Sequence, residues 1–535
     1  MSTELEVIPV HPKGEVEIAG NLPEEAATTI DTFAGKVHVK WSPEAAVSGL
    51  GLMPFFIEYL KTSGLFDKWV DDCPLNYTSN NAPPKRNILG TLLLSVLAGH
   101  WRYAHINAIR GDGVNPELLG MTGVASEDSI RRAMKAMDEV ASGSWMRDHL
   151  KATYGPLLQE PWILDVDTTV KPLYGHQQDA VVGYNPTKIG RPSHAYHSYF
   201  VAKIRIVLDM EVQAGNQTAT SYAQPELWAF LDGLSERDWP IFIRGDNAWG
   251  TEKAMLGAEE RKIGYLFKLK QTANVKQLIR QIFMKKEWED AGQNWQGRDE
   301  RLQLEKWSKE RRVLVLRRPV PIKPAAETVT LGKKKSRGVR VKLALGKAAK
   351  QLKLDLPELI YKGIQYEYVV LVTSLTDGVM TVAQHYRDRG DAENNFDELK
   401  NQWGWAGFTT QDRKRCQTMG RIIALVYNWW NIFMRLGIPD KHAEAITSRP
   451  LALHGIARQT RHGNQTTVEI TSTHSEGPKI TKILTRVSAF LKVIKTTAEQ
   501  LTQIEKWTLI LSAAFSHFLG GRVLGSPGRL ADATG

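Results

Sequence analysis

The change of period between Trp162 and Lys270 constrains the fold more than any other feature of this sequence. Trp162-Ile-Leu-Asp-Val-Asp, Phe200 to Leu208 (FVAKIRIVL) and Glu211-Val-Gln-Ala are β-type runs. A helix introduced by Pro225 follows, with Leu227, Phe230, Leu231 and Leu234 at i, i+3, i+4 and i+7. Ile241-Phe-Ile is a further strand, a short helical stretch starts at Thr251, and Tyr265 to Lys270 alternates so that Tyr265, Phe267 and Leu269 share one face. Strands in succession, then strand and helix in alternation, predict a mixed α/β sheet with helices packed on it.

The flanks read differently. Glu4, Glu6, Glu15, Glu17, Glu24 and Glu25 with few aromatics make residues 1–30 an acidic arm that cannot offset its ordering entropy by burial. Leu52 to Leu60 and Ile88 to Leu97 are too densely apolar for solvated faces and predict packed helices. Ser126 to Met137 offers a capping Ser, acids in the first turn and Ile130, Met134 and Met137 at helical spacing; it reads equally as a recognition helix or as a plain packed one. The period breaks again at 286–375, where strand-like Arg312-Val-Leu-Val-Leu and Tyr366 to Leu375 surround the polar run Gly332-Lys-Lys-Lys-Ser-Arg-Gly. After Gln411 helical patterns return at Ile422 to Leu436 and Trp507 to Phe518.

Charge narrows the partner. Lys plus Arg number 69 against 58 Asp plus Glu in 535 residues, a surplus of +11 that favours a polyanion. Residues 301–350 alone hold 16 Lys/Arg and three acids, and the stretch after 411 holds 17 and eight, so the surplus is local. Two cysteines, Cys73 and Cys416, exclude a disulfide framework and a cysteine-built zinc site. No run is long enough for a membrane span, and no leader is expected at the start.

The segment His385-Tyr-Arg-Asp-Arg-Gly-Asp-Ala-Glu-Asn-Asn-Phe-Asp-Glu-Leu-Lys400 carries the chemistry. On a 3.6-residue helix Tyr386, Arg389, Glu393 and Lys400 lie along one stripe. A solvated face with i,i+4 pairs gives such stripes too, but two strand ends also offer aspartates: Asp165 and Asp167 in LDVDTT, and Asp246 in RGDNAW. Carboxylates from two strand ends and one helix suit a pair of Mg²⁺ ions, which take oxygen ligands and clamp the attacking and leaving oxygens of a phosphoryl displacement. Tyr386, Arg389 and Lys400 would then hold DNA phosphates.

These residues carry a resemblance. The Y-(2)-R-(3)-E-(6)-K spacing, with ENNFDELK, DVDTT, YGHQQDAVVGYNP and RGDNAWG in that family's order, resembles the DDE transposases of bacterial insertion sequences from about Trp162 to Trp405. The resemblance implies an α/β fold: an RNase H-like mixed sheet with flanking helices, interrupted by a β-rich insertion, plus helical N- and C-terminal regions. It divides the chain into the acidic arm (1–30), a helical DNA-binding module (31–155), the first part of the catalytic core (156–285), the basic insertion (286–375), the last part of the core with the catalytic helix (376–440) and a helical region for dimer contacts (441–535). It implies Asp167, Asp246 and Glu393 as ligands of two Mg²⁺ (or Mn²⁺) ions, Asp167 being preferred because Thr168-Thr169 follows it. Asp165, on the same side of the strand by the period of two, becomes a supporting group or the alternative ligand.

The implied activity is cut-and-paste transposition: binding of terminal inverted repeats, hydrolysis to a 3′-OH, and joining to target DNA by a homodimer in a synaptic complex. The implied setting is the bacterial cytoplasm, at the nucleoid when bound to DNA. Tyr386, Arg389, Lys400 and the insertion lysines Lys333, Lys334 and Lys335 are the expected DNA contacts. Gly390 stands where some relatives carry a base-stacking Trp, which leaves Trp288, Trp295, Trp307, Trp403 or Trp405 for that task. Two other readings share these residues: a repurposed or inactive transposase that only binds DNA, and an RNase H-like nuclease without strand transfer. His176, His194 and His197 lack a zinc spacing and read as loop or DNA-contacting residues, and Trp429-Trp430 as core.

Overall fold

The computed structural model describes residues 27–42, 44–77, 79, 81–185, 188–321, 360–361, 364–496 and 501–525. An eleven-stranded sheet organises them. Its first five principal strands are β1 (Ile163–Pro172), β2 (Pro192–Val201), β3 (Ile206–Ala214), β4 (Phe242–Gly245) and β5 (Gly264–Lys268). They lie in the order 3-2-1-4-5: β1 runs parallel to β4 and β4 to β5, while β2 is antiparallel to both β1 and β3. That is an RNase H-like core. Helix α1 (Glu139–Tyr154) leads into it, and α2 (Gln224–Asp232) and α3 (Glu252–Glu260) make the connections from β3 to β4 and from β4 to β5.

The run read as one strand, Phe200 to Leu208, is a hairpin instead. Residues 202–205 turn between β2 and β3, with Lys203 (φ 66°) and Arg205 (φ 56°) both left-handed. The two cations would otherwise point into a covered sheet, and the turn takes them to its edge.

The basic segment does not form a separate layer. Strands β6 (Glu289–Gly292), β7 (Trp295–Leu302), β8 (Arg311–Val320) and β9 (Ile364–Thr373) continue the core sheet, because β9 pairs antiparallel with β5. The order β6-β7-β8-β9-β5 makes one surface from the insertion and the core. Lys333, Lys334 and Lys335 lie outside the described residues.

Helices α4 (Val379–Arg387), α5 (Gly390–Asn401) and α6 (Arg413–Gly437) follow β9. On the face covered by α4, Ile163, Phe242, Leu266, Leu314 and Leu371 pack with Val379, Val382 and Ala383. On the other face Tyr265 and Phe267 stack at 5.5 Å within the main core, as their alternation predicts. Every residue of α6 from Met419 to Arg435 is buried, including Trp429 and Trp430, and among the described residues no helix is long and apolar enough to cross a membrane. The flanking regions are mostly helical, but they also carry a hairpin, Thr28–Thr32 with Gly35–Val39. A second hairpin, Ile456–His462 with Gln465–Thr471, pairs through Ala457 and Arg458 with Val47–Ser48 and so ties the two flanks together.

Asp209 and Glu211, two apart on β3, both face Arg147 of α1 and Arg421 of α6. Arg147 Nε and Arg421 Nε lie 2.9 Å from Asp209, and Arg421 Nη2 lies 3.1 Å from Glu211. Burial pushes the Asp209 carboxyl up, but the two guanidiniums outweigh it and hold the group below its ordinary value. A depressed carboxylate contributes stability that is present above its unfolded pKa, about 3.9, and is lost as pH falls through the folded value. Urea midpoints should therefore fall between pH 5 and pH 2, and Asp209→Asn should be less stable at pH 7 but flatten that fall; an unchanged acid limb would contradict the assignment.

Candidate active site

Period two builds the site. On the face beneath α4, the neighbours Ile163 and Phe242 are followed two residues on by Asp165 and Arg244, which are again opposite each other in the β1/β4 register. Two residues further along each chain stand Asp167, still on β1, and Asp246, just past the end of β4. The apolar row thus ends in a buried ion pair and then in two carboxylates at the sheet's edge.

Asp165 is bound on both oxygens by Arg244, at 2.5 Å from Nε and 2.6 Å from Nη2. Arg244 also donates to the His385 carbonyl of α4. Asp165 is therefore a fixed structural partner, leaving Asp167 as the acid at the opening. No motif in the sequence marks Arg244, although it stands two residues before Asp246 as Asp165 does before Asp167.

Asp167 accepts from the Thr168 N–H at 2.7 Å and from Arg389 Nη2 at 2.6 Å. Burial raises its carboxyl; Arg389 opposes this, Asp246 and Glu393 add to it, and the group sits at about 6. Arg389 Nη1 lies 3.1 Å from Glu393, whose side chain is 70 % exposed. Asp246 accepts from the Ala248 N–H at 2.9 Å. Burial raises the Tyr386 hydroxyl, Arg389 counters it, and Asp246, Glu393 and Asp167 reinforce it. One neighbourhood thus holds Asp167, Asp246, Glu393, Tyr386 and Arg389.

The expected stripe is present, with a correction to the helix. Tyr386 closes α4 and Glu393 opens α5, with a tight turn at Asp388 and Arg389 between them. There the hydrogen bonds run from i to i−3, as in Arg389 N–H to Tyr386 O and Ala392 N–H to Arg389 O. The 3₁₀ tightening turns Arg389 inward. Arg389, expected at a DNA phosphate, is buried between Asp167 and Glu393, and Lys400 Nζ reaches the Val170 carbonyl of β1 at 3.4 Å. Arg389 and Lys400 thus turn toward β1, while Glu393 stays open to solvent.

Helix α5 is held from behind. Glu398 accepts from His442 Nε2 at 2.6 Å, Trp403 Nε1 at 3.0 Å and the Ala445 N–H at 3.0 Å. Burial opposes its charge, but these donors keep it below its ordinary value. Tyr427 Oη donates to Asn395 Oδ1 at 2.7 Å, and Phe396 meets Phe200 edge-on at 4.9 Å.

Several expected contacts lie elsewhere. His194 and His197 are buried on β2, not in a loop: His197 Nδ1 is 2.8 Å from Thr168 Oγ1, and burial lowers His197 to about 4. Trp307, Trp403 and Trp405 are buried in the core. Trp288 and Trp295 are covered by the Arg317 and Arg318 guanidiniums, at 3.8 and 4.9 Å from the rings. Among the described residues no group of three or more His, Cys, Asp or Glu side chains is arranged to hold a metal ion. Arg389 stands between two of the acids that could do so.

A 3-2-1-4-5 sheet with acids at the adjoining ends of its first and fourth strands defines an RNase H-like core of the kind that serves phosphoryl transfer on nucleic acids. The chain belongs to the family described as Transposase DDE domain group 1, whose model matches residues 48–321; Asp167 and Asp246 lie within the match and Glu393 beyond it. No curated protein matches its sequence. Among solved structures, a piggyBac transposase synaptic complex with hairpin DNA is 11 % identical, with 91 % of this chain and 88 % of that chain covered and a TM-score of 0.32.

Proposed function

We propose that this DDE transposase binds the terminal inverted repeats of an insertion sequence as a homodimer, hydrolyses a phosphodiester at each end to free a 3′-OH, and joins that hydroxyl to target DNA. The observation that carries the reading is the meeting of Asp167, Asp246 and Glu393 around one arginine at the end of β1 and β4. The donor set fits a hard divalent cation: all oxygen, one carboxyl raised by burial and further by its two like neighbours, and a guanidinium already occupying a cation's place between two of them. Asp167, Asp246 and Glu393 would hold two Mg²⁺ or Mn²⁺ ions. Bound there, such ions supply an activated water and neutralise charge on the transferring phosphate.

The remaining steps belong to the chain. Arg389, paired with both Asp167 and Glu393, offsets the repulsion between the two carboxylates. Tyr386 and Lys400, on the two sides of Glu393 along the stripe, would position the scissile strand by hydrogen bonding and charge. The catalytic demand is mainly positioning and electrostatic, which places acids for the ions beside donors for the phosphates.

Full-length protein, Mg²⁺ and DNA carrying the element's ends test this. Nicked or excised ends are expected, and pre-cut ends supplied with a target plasmid should give joined product. Cleavage without joining would leave only a nuclease, and binding without either reaction would leave a DNA-binding protein.

A further inference from the structure

Behind α5, away from the carboxylates, a cavity of about 670 Å³ opens between the β2–β3 turn, the end of α6 and the C-terminal segment. That volume lies within the ~300–1,000 Å³ range of small-ligand sites. Lys203, Arg205, Arg435, Lys441 and Arg522 line it. Two of these cations are already neutralised: Arg205 lies 2.9 Å from Asp391, and Arg522 lies 3.3 Å from Glu160. Lys203, Lys441 and Arg435 remain, facing the single further acid Asp440.

Arg435 is the informative member. It is 6 % exposed, its Nε donates to Asn431 Oδ1 at 3.1 Å, and its guanidinium lies over the Phe515 ring at 5.2 Å. Among the described residues its two terminal nitrogens have no hydrogen-bond acceptor and no carboxylate partner. Burial, with Arg205 adding to it, lowers its pKa against the opposing pull of Tyr427 and Asp391. A buried guanidinium whose nearest carboxylate acts only at a distance, with no hydrogen-bonded ion pair, is costly, and its planar pair of terminal nitrogens matches two oxygens of a phosphate. The turn that delivers Lys203 and Arg205 keeps both in left-handed conformations that non-glycine residues seldom adopt.

We propose that this cavity is a second phosphate-binding site, in which Arg435 grips the phosphate from below and Lys203 and Lys441 close over it. It is separate from the carboxylate site: Asp391, which borders it, pairs with Arg205, whereas Glu393 pairs with Arg389, which reaches Asp167 of β1. The phosphate comes either from a DNA backbone or from a free phosphate compound, and two arms of one experiment separate these sources.

Inorganic phosphate is titrated into the full-length protein by calorimetry at constant ionic strength, for the parent, Arg435→Gln and Lys203→Gly. The glycine variant relieves the left-handed turn, so it should fold at least as well as the parent while losing one cation. The parent should bind phosphate, and each variant about tenfold or more weakly. In the second arm, duplex DNA binding is followed against salt. A salt slope reduced by about one in Lys203→Gly would assign the site to a backbone phosphate, and an unchanged slope with weakened phosphate binding would assign it to a free phosphate compound. Equal phosphate affinity in the parent and Lys203→Gly with an unchanged salt slope, or no phosphate binding by the parent and no change in slope, overturns the proposal even if Arg435→Gln fails to fold.

Discussion

Asp246→Asn and Glu393→Gln should each reduce end cleavage by about a thousandfold or more, equivalent to ~4 kcal/mol of barrier, while leaving the folded state as stable as the parent. The pairing of those outcomes is what the geometry specifies. Glu393 is largely exposed, and without it the buried Arg389 still keeps its pair with Asp167, so losing the exposed carboxylate should cost about 1 kcal/mol or less. Among the described residues the Asp246 carboxylate accepts one hydrogen bond, from the Ala248 N–H, which an Asn oxygen can keep. Both acids oppose the charge on Asp167, so removing either relieves repulsion in the protein without ions. Groups that a fold would gain by losing are there for another purpose. Asp167→Asn should behave differently: it also abolishes cleavage, but it leaves Arg389 buried with Glu393 alone and should lower the melting temperature. Thermal unfolding and a cleavage assay on the same three preparations check this; retention of full cleavage by Asp246→Asn or Glu393→Gln would remove that residue from the reaction.

How far the sequence foretells this site depends on whether each relation is local. The β1 and β5 alternations and the spacing of Tyr386, Arg389, Glu393 and Lys400 are local, and the strands, the shared face and the stripe are all found. What the spacing did not convey is direction. An ideal helix would carry Arg389 and Lys400 on a face open to DNA, whereas three-residue hydrogen bonding at Asp388–Ala392 turns Arg389 under Asp167. The run FVAKIRIVL has the composition of one strand, and only the cost of placing Lys203 and Arg205 inside a sheet covered on both faces marks it as a turn. His194 and His197, expected in the loop after the first strand, lie on β2, whose first residues carry no apolar alternation; polar pairs such as Thr168 with His197 stand in its place. Pairing of β9 with β5 joins residues about a hundred apart, and that register leaves no mark on either segment. Between Asp165 and Asp167, period two puts both on one face; the Thr168-Thr169 pair favours Asp167 locally, and the partner that occupies Asp165, Arg244, sits on another strand.

That residue yields the largest expected effect on stability. Arg244→Met should destabilise the protein by about 3–5 kcal/mol, because Asp165 stays buried with its carboxylate unpaired and the His385 carbonyl loses its donor. Replacing both partners, Asp165→Leu with Arg244→Met, should recover most of the loss: it removes the buried charge, and the apolar row Ile163, Phe242 and Leu266 lies alongside to pack with the new side chains. The pair also discriminates between the two aspartates. If Asp167 is the reacting acid, the double variant loses cleavage only through positioning, within about a hundredfold, because the tie from β4 to α4 is gone while the three carboxylates remain. If Asp165 were the ligand, the double variant would be as inactive as Glu393→Gln. Urea unfolding of both single variants and the double variant gives the coupling energy, and cleavage by the refolded double variant decides between the acids. A coupling energy near zero would mean that Arg244 holds Asp165 only loosely, and the case for Asp167 would then rest on its place beside Arg389 and Thr168 alone.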